Sequence, residues 1–207
     1  MGAFCYAITM KQIIVIHGGT TFKDYDEYLK SLSTKEISIE RLEYKHKWKE
    51  RLAHDLGEEY QVLLPSMPNA TNARYDEWKT WFEHISQVIE DDCVLIGHSL
   101  GAVFLAKILS EESMPFRIKA TVLIAAPYDD ESRDDLAGFR ITNLTDRLIR
   151  QAGRLVFFNG LDDPVISTED LHKYQTAIPT AEFNIMSAPD HFVREEFPEL
   201  VTLLKDM

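Results

Sequence analysis

The feature that most constrains this chain is a change of periodicity within residues 93–109, CVLIGHSLGAVFLAKIL. Cys93–Ile96 is a short apolar run with β-branched residues, which is typical of a buried strand. In the second half of the stretch the apolar residues recur at helical spacing. The sequence therefore predicts a tight strand-to-helix turn in which Ser99 stands between Gly97 and Gly101.

A serine in such a turn is suited to nucleophilic chemistry. Its hydroxyl is a poor nucleophile until a neighbouring base takes its proton, and a sharp turn holds it where a substrate can reach it. Glycines two residues to either side leave room for the tight backbone. The pattern G-x-S-x-G, preceded by a strand and followed by a helix, is that of a nucleophile elbow, and it makes Ser99 the candidate nucleophile.

Composition excludes several other classes of protein. The chain has 207 residues, of which 45% are hydrophobic and 27% charged, as expected for one soluble globular domain. Its net charge of −12 argues against a nucleic-acid partner. We expect residues 1–10 to be a tail too short to span a membrane, and residues 11–207 to be the domain. The two cysteines, Cys5 and Cys93, do not suggest a disulfide framework, so a cytoplasmic location is expected, with no membrane partner.

Short apolar runs alternate with helical patterns along the chain. This alternation predicts an α/β fold of three layers, in which a mostly parallel sheet of about six strands is covered by helices on both faces. About 28 residues separate Pro127 from Leu155, which leaves no room for a large lid domain. The predicted strands are Gln12–His17, Gln61–Leu64, Cys93–Gly97, Ala120–Ala125, Leu155–Asn159 and Glu182–Ile185.

The charged segment of residues 24–57 is less regular. A sparse apolar stripe from Leu42 through Trp48 to Leu56 predicts a long amphipathic helix that ends at Gly57, after an irregular stretch around residues 32–39. The basic residues in its KHKWKER portion are expected to form a solvated helix face.

Two backbone N–H groups are candidates to stabilise an oxyanion beside Ser99. The Leu100 N–H opens the helix after the serine, where the helix dipole favours negative charge. The second donor is expected in VIHGGT, after the first strand, where glycines let the backbone approach a substrate closely. Gly19 is favoured by position, with Thr20 as the alternative.

The base and the acid are expected late in the chain, in the order serine, acid, histidine. His191 lies in a loop between the last strand and the C-terminal helix, whereas His172 lies in a helical pattern and is expected at the surface. Asp162 and Asp163 follow the fifth strand, and either could orient the histidine. Because a proline follows Asp163 directly and stiffens the turn, Asp163 is favoured.

These motifs resemble the α/β-hydrolase superfamily, and more closely its small serine hydrolases of the retinoblastoma-binding protein 9 type. The similarity extends over nearly the whole chain from residue 12, and its most specific parts are VLIGHSLGA, FFNGLDDPVI and DHF. In that family, the second aspartate of DDP and the histidine of HF complete the catalytic triad, which implies Asp163 and His191 here. The long charged segment departs from the family.

The sequence thus predicts a serine hydrolase that cleaves small carboxylic esters through an acyl-enzyme on Ser99, without a metal or an organic cofactor. A small acyl substrate is the expected partner. An amidase or peptidase, a thioesterase or a lactonase would use the same residues. A non-catalytic interaction protein of the same fold is the alternative from another class.

Overall fold

The computed structural model describes residues 10–129, 135–187 and 191–207. Of the tail predicted at residues 1–10, residues 1–9 lie outside the described part of the chain. Within that part, six strands form one parallel sheet in the order β2-β1-β3-β4-β5-β6. The strands are β1 (Lys11–Ile16), β2 (Tyr60–Leu63), β3 (Cys93–His98), β4 (Ile118–Ile124), β5 (Arg154–Gly160) and β6 (Glu182–Met186).

Helices connect the strands and cover both faces of the sheet. Among the described residues, no helix has both the length and the apolar character needed to cross a membrane. The helices are α1 (Tyr25–Thr34), α2 (Ile39–Leu42), α3 (Trp48–Leu56), α4 (Tyr75–Ile85), α5 (Leu100–Glu111), α6 (Asp146–Gln151), α7 (Thr168–Ala177) and α8 (Pro198–Lys205).

Alternation along the strands divides the core into two layers. On β1, Ile14 and Ile16 point to one face of the sheet, where they pack in a cluster with side chains of α4, α5, α6 and α7. Ile13 and Val15 point to the other face and belong to the cluster formed with α3 and α8. All four side chains are at most 1% exposed. Burial of both faces explains why the strands read as continuous apolar runs.

The predicted architecture is confirmed. All six predicted strands are present, and each boundary lies within two residues of its expected position. Between β4 and β5, the described residues hold a 3-10 turn (Ala137–Phe139) and the short helix α6, so no large lid covers the sheet.

The prediction of one long helix within residues 24–57 is wrong, because the segment contains three helices. Leu42 and Trp48 are six residues apart and therefore fall on different sides of an α-helix, so they cannot share one buried stripe. Leu42 is 73% exposed, whereas Trp48 is 1% exposed. Only the last part of the segment, α3, packs on the core, and it ends at Gly57 as predicted.

The parallel arrangement determines where a site can form. The carboxyl ends of all six strands meet at one edge of the sheet, and ligands of open α/β sheets bind outside this edge. The loops after β1, β3, β5 and β6 carry Gly19, Ser99, Asp163 and His191, respectively.

Candidate active site

Ser99 makes the turn between β3 and α5 by itself. The strand ends at His98 and the helix begins at Leu100. Ser99 has φ 55° and ψ −122°, a backbone conformation that residues other than glycine rarely adopt. Such conformations persist where the surrounding structure enforces them, and they cluster at functional sites.

Close backbone packing explains the two glycines that flank the turn. A Cβ atom on Gly97 would lie 2.5 Å from the Gly101 carbonyl oxygen and 2.6 Å from Ala102 Cα. A Cβ atom on Gly101 would overlap the carbonyl oxygens of Ile16 and His17 at the end of β1. Any side chain at either position would push the helix away from the sheet.

We expect Gly101→Ala to lower the free energy of unfolding by about 1–3 kcal/mol, because the added methyl group must displace the backbone of β1. Urea denaturation measures this change. Ala53→Gly, which removes a methyl group at an exposed position of α3, is the control and should cost about 1 kcal/mol or less. If Gly101→Ala is no more destabilising than the control, the packing argument for the glycine is wrong.

The structure brings Ser99, His191 and Asp163 together from three separate loops. His191 Nε2 lies 2.9 Å from Ser99 Oγ. His191 Nδ1 lies 3.0 Å from Oδ1 and 2.9 Å from Oδ2 of Asp163. In a neutral imidazole one nitrogen donates and the other accepts. With the carboxylate as acceptor at Nδ1, Nε2 is left to accept the Ser99 hydroxyl proton.

Asp163 is held by its own loop as well as by the histidine. Its side chain is 1% exposed, and Oδ1 accepts hydrogen bonds from the N–H groups of Val165 and Ile166 at 2.8 and 2.9 Å. Burial alone would raise the pKa of this carboxyl. The hydrogen bonds from His191 and the two N–H groups outweigh burial, so the pKa is lowered and the carboxylate is charged at neutral pH. Asp162 and His172 are exposed to solvent.

The two predicted oxyanion donors lie beside Ser99. Leu100 is the first residue of α5, so its N–H has no acceptor within the helix. Within the described residues, the Gly19 N–H has no backbone acceptor either, whereas the Thr20 N–H donates to the Ala70 carbonyl at 2.8 Å. Gly19 lies so close to its neighbours that an added Cβ would be 2.7 Å from the Ala70 oxygen. Of the two candidates in this loop, Gly19 therefore has the available N–H.

A cavity of about 250 Å³ opens beside Ser99. Its walls come from the loops after β1, β3, β4 and β5 and from the first turns of α1 and α5. They combine backbone N–H groups, apolar side chains and two carboxylates. The lining residues are Gly19, Thr20, Thr21, Phe22, Glu27, Ser99, Leu100, Pro127, Asp135, Leu136, Val165 and Ile166.

Two polar residues that are linked to His191 were not identified from the sequence as part of the site. His98, the residue directly before Ser99, is 5% exposed, and its Nε2 lies 2.9 Å from the His191 carbonyl oxygen. Lys49, expected on a solvated helix face, lies with its Nζ 2.9 Å from His98 Nδ1. No local pattern marks these contacts, because they join residues far apart in the chain.

Among residues 10–129, 135–187 and 191–207, no three His, Cys, Asp or Glu side chains are grouped so that they could hold a metal ion. The site as described consists of a hydroxyl, an imidazole, a carboxylate and backbone N–H groups. These groups are sufficient for acyl transfer by general base and oxyanion stabilisation.

The fold and this arrangement define an α/β-hydrolase. The chain also matches the Serine hydrolase family over residues 42–197, which is more than half of its length. The chain therefore belongs to the serine hydrolase family. Among curated protein sequences, no relative matches it.

Solved structures share the fold at low sequence identity. The ydeN gene product of B. subtilis has a TM-score of 0.71 and 16% identity, covering 95% of this chain and 98% of its own. The esterase domain of a Rhodothermus marinus protein has a TM-score of 0.55 and 20% identity, covering 98% and 87%. A carboxylesterase structure from the thaumarchaeon Nitrososphaera gargenis has a TM-score of 0.58 and 14% identity, covering 96% and 90%.

Proposed function

We propose that this protein is a carboxylesterase that uses Ser99, His191 and Asp163 as a catalytic triad. The observation that carries the proposal is the continuous line of contacts from Ser99 Oγ through both nitrogens of His191 to the Asp163 carboxylate. Esterases among the structural neighbours support it, as does membership of the serine hydrolase family.

The mechanism follows from these contacts. Ser99 Oγ attacks the ester carbonyl carbon while His191 Nε2 takes the hydroxyl proton, and the carbonyl electron pair moves to the oxygen. The N–H groups of Leu100 and Gly19 stabilise that oxyanion. Collapse of the tetrahedral intermediate breaks the bond to the alcohol, which leaves with the proton from His191. Water then attacks the acyl-enzyme in the same way, and the acid and the free serine are released.

Asp163 has an electrostatic task in this mechanism. It keeps the Nδ1 proton on His191, which directs the Nε2 lone pair to the serine, and it stabilises the imidazolium that forms. The lowered pKa of its carboxyl keeps it charged through both half-reactions.

We expect small acyl groups to be the preferred substrates. The cavity of about 250 Å³ is smaller than the roughly 300–1,000 Å³ of typical ligand pockets. The kcat/KM for p-nitrophenyl acetate and butyrate should exceed that for p-nitrophenyl palmitate by about tenfold or more, because a long chain cannot be enclosed. Initial rates on an ester series below the aggregation concentration measure this. A rising preference up to the palmitate would contradict the small-ester proposal.

Other acyl chemistries differ from this proposal in the bond that is cleaved. Amides, thioesters and lactones would use the same residues, so the ester series is run beside matched aminoacyl amides and acyl thioesters. A fluorophosphonate probe tests the alternative of a non-catalytic interaction protein. Stoichiometric labelling of Ser99 supports an enzyme, and no labelling supports the interaction protein.

Three finer assignments complete the proposal. The closer resemblance to hydrolases of the retinoblastoma-binding protein 9 type rests on VLIGHSLGA, FFNGLDDPVI and DHF. The expected partner is a small acyl substrate. A cytoplasmic location is supported by Cys93, which is a free and buried thiol, as in proteins of reducing compartments.

A further inference from the structure

We propose that His98 and Lys49 are positioning residues that hold the backbone of His191, so that its imidazole stays between Ser99 and Asp163. This inference rests on the proposed function, because it assigns a task to residues around the same site. It extends the site to α3, which belongs to the charged segment whose basic residues were expected to form a solvated helix face.

The contacts determine which way each hydrogen bond runs. A lysine ammonium has donors and no acceptor, so the Lys49 Nζ, at 2.9 Å, donates to His98 Nδ1. The His98 proton is therefore on Nε2, which donates to the His191 carbonyl oxygen at 2.9 Å. The opposite tautomer would place two donors against each other at Nδ1 and two acceptors at Nε2.

Charge and burial keep His98 in this neutral form. Burial lowers the pKa of His98 well below its usual value, and the positive charge of Lys49 lowers it further. Burial, together with the charge of Lys47, lowers the pKa of Lys49 to about 8. At pH 7 the lysine is thus charged and the histidine neutral, which is the combination that this chain of hydrogen bonds requires.

The loop that carries His191 needs such support. His191 and Phe192 have φ values of 48° and 52°, so two consecutive non-glycine residues adopt left-handed backbone conformations. Conformations of this kind persist only where the surroundings enforce them. Without external contacts, the loop would relax and move the imidazole away from Ser99.

Three hydrogen bonds from outside the loop enforce the conformation. His98 donates to the carbonyl of His191. The Trp48 indole Nε1 donates to the carbonyl oxygen of Phe192 at 3.0 Å. The Trp48 backbone N–H donates to the carbonyl oxygen of Arg194, also at 3.0 Å. The first turn of α3 and the end of β3 therefore hold the loop together. Because the chemistry depends on placement within about 1 Å, loss of one of these contacts is expected to slow it.

Paired substitutions test the task of His98. His98→Met fills similar space without a donor, and we expect kcat for p-nitrophenyl acetate to fall about tenfold or more while KM stays within about twofold. His98→Gln carries a donor and an acceptor on one planar group, and it should recover most of kcat. His172→Met is the matched control, because His172 is exposed on α7, and it should leave both constants unchanged.

The same logic applies to Lys49. Lys49→Met removes the donor to His98 Nδ1 and should lower kcat, whereas Lys49→Arg retains a cationic donor and should recover it. The rate of fluorophosphonate labelling of Ser99 should follow the same order, since this rate does not depend on how an ester fits the cavity. Thermal unfolding of each variant separates loss of fold from loss of positioning.

Nitrogen NMR of the histidine side chains tests the geometry without any reaction. In the wild-type protein at pH 7, the His98 signal should be that of a neutral ring protonated on Nε2. A proton on Nδ1, or equal kcat and labelling rates for His98→Met and the wild-type protein, would overturn the inference. A wild-type protein that neither hydrolyses esters nor reacts with the probe would instead reject the proposed function, while the His98 spectrum still tests the inference.

Discussion

Ser99→Ala is expected to fold normally and to lose ester hydrolysis by a factor on the order of 10⁴ or more. The substitution removes Ser99 Oγ, the atom that forms the acyl-enzyme. This oxygen is the hydroxyl that lies 2.9 Å from His191 Nε2. Alanine carries the same Cβ as serine, so the positive φ at this turn is not made less favourable. The measurements are kcat/KM on p-nitrophenyl acetate and the mass shift after fluorophosphonate treatment, which should disappear.

The control for this variant removes a hydroxyl elsewhere. Ser113→Ala changes an exposed serine just beyond the end of α5 and should retain wild-type activity and labelling. If Ser99→Ala keeps more than about a tenth of the wild-type activity, the hydrolysis does not depend on an acyl-enzyme at Ser99, and the site has to be sought elsewhere. Circular dichroism and thermal unfolding confirm that both variants retain the fold.

The fold was largely predictable because its main signals are local. Strands buried on both faces appear as continuous apolar runs, and Leu155–Phe158 in β5 is an example. The turn at Ser99 was predictable for a similar reason, since the glycines that its close packing requires stand within two residues of it.

The surroundings of the site could not be predicted, because they depend on contacts between distant parts of the chain. Lys49 and His98 are 49 residues apart in sequence, and His98 and His191 are 93 apart. No periodicity distinguishes a lysine that turns toward the core from its solvated neighbours. The break into separate helices within residues 24–57 was unpredictable for the same reason. The helix α3 begins at Trp48, whose side chain is buried in the core against distant parts of the chain.

The choice between Asp163 and Asp162 was only partly predictable, since residue order alone left both open as the acid. The structure places the Asp163 carboxylate within 3.0 Å of His191 Nδ1, and it leaves Asp162 exposed. The difference comes from the turn after β5, where the N–H groups of Val165 and Ile166 bind Oδ1 of Asp163 and orient its side chain inward. Which of the two aspartates acts in catalysis is therefore a matter for paired substitutions.

Asp163→Asn is expected to lower kcat by a factor on the order of 10³–10⁴, with a small change in KM. The amide keeps an oxygen for the N–H groups of Val165 and Ile166, so the loop is retained. Its NH₂ group, however, can donate to His191 Nδ1, which moves the imidazole proton to Nε2. That nitrogen then has no lone pair for the Ser99 hydroxyl. Steady-state rates on p-nitrophenyl acetate measure the effect.

Asp162→Asn is the matched partner, because it makes the same chemical change one residue away at an exposed position, and it should keep kcat within about twofold. The ratio between the two variants is the decisive quantity, since both remove one negative charge from the same turn. A general electrostatic role of the turn would lower both rates by similar factors. If Asp162→Asn is the more damaging of the two, the acid has been assigned to the wrong residue, and the loop after β5 would have to rearrange in the active enzyme.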